Sequence, residues 1–208
     1  MTTTYITPRT YNALYSVMQY ENALALRVAL ETGARIGDVV ALRRENLHGL
    51  KITYTAQKTG KTTTKKVSLE LMRQLLNNCR NEYGWVFGGR DARRHRTRQA
   101  VWKDVKKAAA RLQLQGNVAP HSARKTYAVE LMHEKGLPAV QSELQHDRTE
   151  TTMLYAFADL LTSQQTKKEA PQTGASEEII RAIADLLHTE RMFWLDFWRT
   201  HGIIRTAG

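Results

Sequence analysis

The chain has 208 residues, 42% hydrophobic and 25% charged, which suits one globular domain with a real core plus an appendage. With 31 Lys and Arg against 20 Asp and Glu, the net charge of +11 favours a polyanionic partner, either nucleic acid or an acidic membrane surface. The single cysteine, Cys79, excludes an internal disulfide and a cysteine-built zinc site. No run reaches the ~20 apolar residues of a spanning helix, and the polar start MTTTYITPRTYNAL has no signal-peptide core. The expectation is a soluble protein of a reducing, cytoplasmic compartment.

Residues 8–32 read as two helices. Thr7 is the expected N-cap of the first, with Pro8 at its first position. NALALRVALETG is apolar on most sides, the pattern of a buried helix, and Gly33 ends it. RIGDVVALRRENL adds a helical turn or two. LKITYTAQ and TTTKKVSL are β-branched and partly alternating on either side of KTGK, which predicts a hairpin over residues 50–69. EYGWVFGG is a short apolar insertion before a charged loop. TRQAVWKDVKKAAARL predicts a strong helix with Ala100, Val101, Val105, Ala108 and Leu112 on one side. A further helix is expected over residues 121–135, stopped by Gly136, with short helices around 139–145 and 151–158. TSQQTKKEAPQTGAS carries Pro171 and Gly174 and reads as a linker over 161–175. Ser176 then caps a last helix in the segment 176–208, expected to dock in cis on its own core or in trans on a neighbouring copy.

Several features carry chemistry, each with an ordinary alternative. The segment 90–111 holds nine Lys and Arg residues. Arg94, Arg96, Arg98, Lys103 and Lys106 are its candidate DNA contacts, since the helix is apolar on one side and cationic on the other; the alternative is a solvated basic helix. TAQKTGKTTT ends like a phosphate-binding P-loop, but Thr55 stands where that motif needs glycine and a strand follows instead of a helix. The acidic residues are scattered, without the convergent set of a two-metal nuclease. Arg35 follows the Gly33 turn with Asp38 three residues on, a structural pair or an anion site. APHSARKTYAVE starts a helix with His121 and Arg124 on one face, either a solvated first turn or a phosphate site. His146 precedes Tyr155 by nine residues, and Tyr155 taken alone fits core or surface better than a nucleophile.

In combination, Arg35, Lys58, His121-x-x-Arg124, His146 and Tyr155 resemble, in order and interval, the catalytic set of the tyrosine recombinases, the phage-integrase family. TGARIGDVVAL is similar to the family's first-arginine motif, QKTGKTTTKKVSL to its lysine hairpin, PHSARKTYAVELMHEKG to its His-x-x-Arg helix, and LQHDRTETTMLYA to its second histidine and tyrosine. Gln145, Ala123 and Asp38 depart mildly, standing where Gly, Leu and Glu are usual. The resemblance implies a mainly α catalytic domain with a small antiparallel β-sheet over residues 1–160. It leaves no room for the family's usual DNA-clamp domain, so a catalytic fragment and a compact invertase-like member both fit.

The resemblance also implies roles. Arg35 and Arg124, with His121 and His146, hold the non-bridging phosphate oxygens. Tyr155 is the nucleophile, Lys58 protonates the leaving 5′-oxygen with Lys61 as its substitute, and His121 accepts the tyrosine proton. Covalent storage of the bond requires no metal or nucleotide cofactor. The implied activity is site-specific DNA strand exchange, integration or inversion. The implied partners are double-stranded DNA, a homotetramer on that DNA and accessory DNA-bending proteins, with no membrane; the implied location is the nucleoid of a bacterial or phage-infected cell. The alternatives are a type IB topoisomerase-like nicking-closing enzyme and a non-catalytic DNA-binding regulator on the same fold.

Overall fold

In the computed structural model, residues 3–79 and 82–144 are described. The expected helix at 151–158, the linker, the segment 176–208, and with them His146 and Tyr155, lie outside the described residues.

Among the described residues, seven α-helices, one short 3-10 turn (Arg44–Asn46, between α3 and β1) and three short strands follow one another in the order α1 Pro8–Val17, α2 Tyr20–Thr32, α3 Ile36–Val40, β1 Leu47–His48, β2 Lys51–Thr55, β3 Thr62–Lys66, α4 Leu69–Asn78, α5 Arg98–Arg111, α6 Pro120–Lys135 and α7 Leu137–Leu144. The two helices expected over residues 8–32 are α1 and α2. Pro8 takes the first position of α1, but the Thr7 side chain makes no cap bond to the backbone and instead meets the Thr10 hydroxyl at 2.9 Å.

The core is a helix-on-helix layer with α2 at its centre, packed against α3, α4, α5 and α6. This is why NALALRVAL is apolar nearly all round: Ala23, Leu24, Ala25, Leu26, Val28 and Ala29 are all buried. Tyr11 and Leu14 of α1, Val101 and Val105 of α5, and Leu71 and Leu75 of α4 close around it.

The start of α2 is stitched from elsewhere in the chain. Asp104 of α5 accepts from the Gln19 N–H at 2.9 Å and from Asn22 Nδ2 at 2.7 Å, doing from another helix what a local cap residue would do. Its end is a left-handed turn: Gly33 has φ +67° and donates its N–H to Ala29 O at 3.0 Å.

The expected hairpin is present as β2 and β3, in register Ile52↔Lys65 and Thr53↔Thr64. Two features are additional. β1 joins β2 to make a three-stranded antiparallel sheet. Helix α4 follows at once, with the Ser68 hydroxyl accepting from the Leu71 N–H at 3.2 Å and Glu31 binding both Ser68 N–H and Oγ.

α5 and α6 match their expected spans closely. Pro120 opens α6, and the Ser122 hydroxyl accepts from the Ala119 N–H at 3.3 Å. α7 begins directly after Gly136, two residues earlier than expected. Among the described residues, no helix is long and apolar enough to cross a membrane.

Candidate active site

Three separate turns converge on one cleft of about 420 Å³: the α2–α3 turn, the β2–β3 turn and the first turn of α6. Arg35, Asp38, Lys58, Arg98, His121 and Arg124 are among the residues lining it. Four of the six residues expected to be catalytic are therefore brought together, although the chain separates them by up to 89 positions (35 to 124).

Arg124 is the fixed wall. Only 5% of it is exposed, and its Nη1 and Nη2 donate to Gly33 O at 2.6 Å and Leu144 O at 2.7 Å. A buried guanidinium requires such acceptors, and these two orient its plane toward the cleft it lines. The second of these carbonyls belongs to α7, so Arg124 ties that helix to the end of α2. Because α2 ends at Gly33, the same turn delivers Arg35, which sits in extended backbone just before α3.

His121 lies at the exposed mouth of the cleft, one helical turn from Arg124. Desolvation first, then the Arg124, Lys125 and Arg35 cations, lower its pKa below the ordinary 6.5. At neutral pH its imidazole is therefore neutral and able to accept a proton.

Lys58 is exposed on the hairpin turn. The turn is closed by Ala56 N–H to Lys61 O at 2.9 Å and Gly60 N–H to Ala56 O at 2.8 Å. The buried Asp38 carboxylate accepts from the Gln57 N–H at 3.0 Å, fastening the residue before Lys58 to the turn that carries Arg35. Lys61 is also exposed but does not line the cleft.

The five candidate DNA contacts divide. Arg98 lines the cleft itself. Arg94 and Lys103 are exposed, Arg94 with a loose 3.8 Å contact to Asp91. Lys106 is half-buried and donates to Asn117 Oδ1 at 2.7 Å. Arg96 departs from expectation: its guanidinium is turned inward, paired with Glu21 and donating to Asn22 Oδ1 at 3.2 Å. These contacts brace the start of α2, a structural role beside which the expected phosphate contact stands as a proposal. Ion pairing across 75 positions (21 to 96) left no local sign.

Lys65 carried no expected role, yet it is 8% exposed beside the site. Its amine pairs with the Glu143 carboxylate, donates to Glu143 O at 3.1 Å and lies 5.7 Å from the Tyr127 ring centroid. Burial, with Arg124 and Lys135 nearby, lowers its pKa to about 8. Strand alternation does carry the signal: Lys65 pairs with the core residue Ile52, between the inward residues Thr63 and Val67. Of the tyrosines around the cleft, Tyr54 is pushed up to about 12 and Tyr127 is also raised, in both cases chiefly by burial. Among the described residues, no group of three His, Cys, Asp or Glu side chains is placed to hold a metal ion.

Comparison with known proteins gives a consistent picture. A family described as the phage integrase family matches residues 4–160, a stretch that runs past His146 and Tyr155. The integrase of Escherichia phage P2 is 29% identical over 156 residues; the match covers 74% of this chain and 43% of that protein. The chain thus spans less than half the length of this curated relative. The catalytic domain of bacteriophage HP1 integrase aligns with a TM-score of 0.58 at 23% identity, covering 83% of this chain and 98% of that one. The XerH site-specific recombinase in a post-cleavage complex with its difH substrate aligns with a TM-score of 0.63 at 16% identity, covering 80% and 53%. These structural likenesses concern the fold.

Proposed function

The chain belongs to the phage integrase family, and on that premise we propose that it is the catalytic domain of a tyrosine site-specific recombinase, cutting and rejoining double-stranded DNA through a 3′-phosphotyrosyl intermediate. The observation that carries this reading is the single cleft collecting Arg35, Lys58, His121 and Arg124.

The chemistry follows from those groups. In the transition state of phosphoryl transfer, charge gathers on the non-bridging oxygens, and two guanidiniums, planar and permanently charged, stabilise it without reorganising. The Tyr155 phenolic oxygen bonds to phosphorus as the bond to the 5′-oxygen breaks. His121, neutral at pH 7, accepts the phenolic proton, and Lys58 gives a proton to the departing oxygen. His146 adds a donor to the phosphate. Resealing runs backwards, with a 5′-hydroxyl of a second strand attacking the tyrosyl link.

The partner of this reaction is duplex DNA, which suits the charge of +11 and the exposed Arg94 and Lys103. Assembly is read as a homotetramer on DNA, with accessory bending proteins. In the segment 176–208, the apolar stripe of Ile179, Ile183, Leu186 and Leu187 suits docking on a neighbouring copy.

The test is covalent trapping on nicked suicide duplexes followed by peptide mapping. The adduct should sit on Tyr155, form in EDTA and vanish in Tyr155→Phe. An adduct on Tyr127 or Tyr54, or cleavage that disappears with EDTA and returns with magnesium, overturns the mechanism.

A further inference from the structure

A second cavity of about 660 Å³ adjoins the active-site cleft. Arg98, Pro120 and His121 are among the residues the two share, so the cavities meet along this wall. Their chemistries differ. Cations dominate the first, whereas the second is faced by Trp102 of α5, an indole left 48% exposed. A phosphate has no use for an exposed indole; a nucleoside does.

This surface is braced from several sides. The Lys106 amine, held by Asn117 Oδ1 at 2.7 Å, lies 6.0 Å from the Trp102 ring centroid. Asn117 is pinned to the N-terminal segment, with Thr4 N–H to Asn117 O at 3.0 Å and Asn117 N–H to Thr4 Oγ1 at 2.9 Å. Gly116, at φ +80°, lets the loop come so close that an added Cβ would lie 2.4 Å from Thr4 Oγ1. Arg98, Trp102 and Lys106 recur every four residues on one face of α5, a cation–indole–cation row ~12 Å long at 1.5 Å per residue. Gln99 adds an amide donor and acceptor at the rim.

Resting on the recombinase reading above, we infer that the cavity over Trp102 receives the nucleotide adjoining the scissile phosphate, and that Trp102 with Gln99 sets the base preference there. The indole packs on the deoxyribose and the apolar edge of the base, the Gln99 amide meets its polar edge, and Arg98 and Lys106 take the phosphates on either side. Charge complementarity and continuity with the catalytic cleft both select DNA as the occupant.

The test uses the full chain and a library of nicked duplexes randomised around the nick. Covalent adducts are recovered and sequenced. The wild-type protein should show a preference of about tenfold at the base pair beside the tyrosyl link. Trp102→Ala should bring that preference close to unity and Gln99→Ala should reduce it, while preferences elsewhere and the thermal midpoint stay unchanged; Trp102→Phe should keep part of it. If Trp102→Ala cleaves nothing, the same preference is read from the library fraction it retains in a mobility-shift selection. A wild-type profile from Trp102→Ala overturns the inference with the recombinase reading intact. A wild-type protein that forms no adduct with any library member overturns both.

Discussion

The first turn of α6 and the β2–β3 turn both present a cation to the same cleft, and they are built in opposite ways. Arg124 is buried, and two backbone carbonyls set its plane. Lys58 is exposed, on a turn that the Asp38–Gln57 bond ties to the α2–α3 segment at the residue before it. The contrast corresponds to two tasks. A group that stabilises a developing charge works best when it does not move. A group that delivers a proton must reach the leaving oxygen and be recharged by solvent.

The comparison breaks most visibly at Arg124. Arg124→Ala should lower cleavage by about 10³-fold, the upper range for losing one preorganised donor. It should also destabilise the fold by ~1–3 kcal/mol, because Gly33 O and Leu144 O lose their donor. Arg124→Lys should rescue little of either, since an ammonium cannot span both carbonyls and the cleft. Single-turnover cleavage and thermal unfolding check both halves; a folded, fully active Arg124→Lys would show that the fixed wall is unnecessary.

The next effect falls on Lys58. Lys58→Ala should lose about 10²-fold in cleavage, in the usual range for a general acid, with no change in thermal midpoint. A substrate with a 5′-bridging sulfur, whose thiolate leaves unprotonated, should restore it. If sulfur fails to rescue Lys58→Ala but rescues Lys61→Ala, the proton comes from the other lysine of the turn.

A smaller effect separates the surface cations. Replacing Arg94 and Lys103 with Ala should flatten the slope of log affinity against log salt by up to about two, at ~0.9 per phosphate contact. Arg96→Ala should leave the slope unchanged and lower the thermal midpoint, because its partners are Glu21 and Asn22. A slope that the Arg94 and Lys103 replacements leave unchanged would make this surface a bystander.

The smallest effect concerns pH. Because the folded-state pKa of His121 lies below 6.5, the unfolded chain binds more protons in the window beneath that value. Stability and cleavage should both rise with pH through this window and level off above it. Lys125→Gln removes one of the cations lowering that pKa, so the acidic limb of the rate profile should move upward toward 6.5. A limb that stays in place would mean that another group titrates there.

What the sequence discloses depends on how far each partner lies along the chain. The 3.6-residue period of α5, Pro120 and Gly136 bounding α6, and the alternating strands about KTGK are local signals, and all three elements are present as read. The His121–Arg124 face is equally local. Helix α4 carried a signal of its own in Ser68 followed by Leu71, Met72 and Leu75, obscured by reading Leu69 as the end of the hairpin. The inward turn of Arg96, the burial of Lys65 against Glu143 and the capping of α2 by Asp104 involve residues 75 or more positions apart. No local pattern reports such pairings. Six candidate catalytic residues could be named from the sequence as a set through resemblance alone; that four of them share a cleft is a product of packing.

Gly33 acts as a hinge pin for the whole site. Its left-handed turn ends α2, its carbonyl holds Arg124, and two peptide units later the chain carries Arg35. A side chain at that position would collide with Tyr127, whose Cδ1 would lie 2.4 Å from the new Cβ, and with Leu144. One glycine thus links both arginines, holding Arg124 by its carbonyl and leading into Arg35, while Leu144 O supplies the second hold on Arg124. Any shift of α6 against α2 that keeps the Arg124–Gly33 bond therefore keeps that guanidinium beside the turn that carries Arg35.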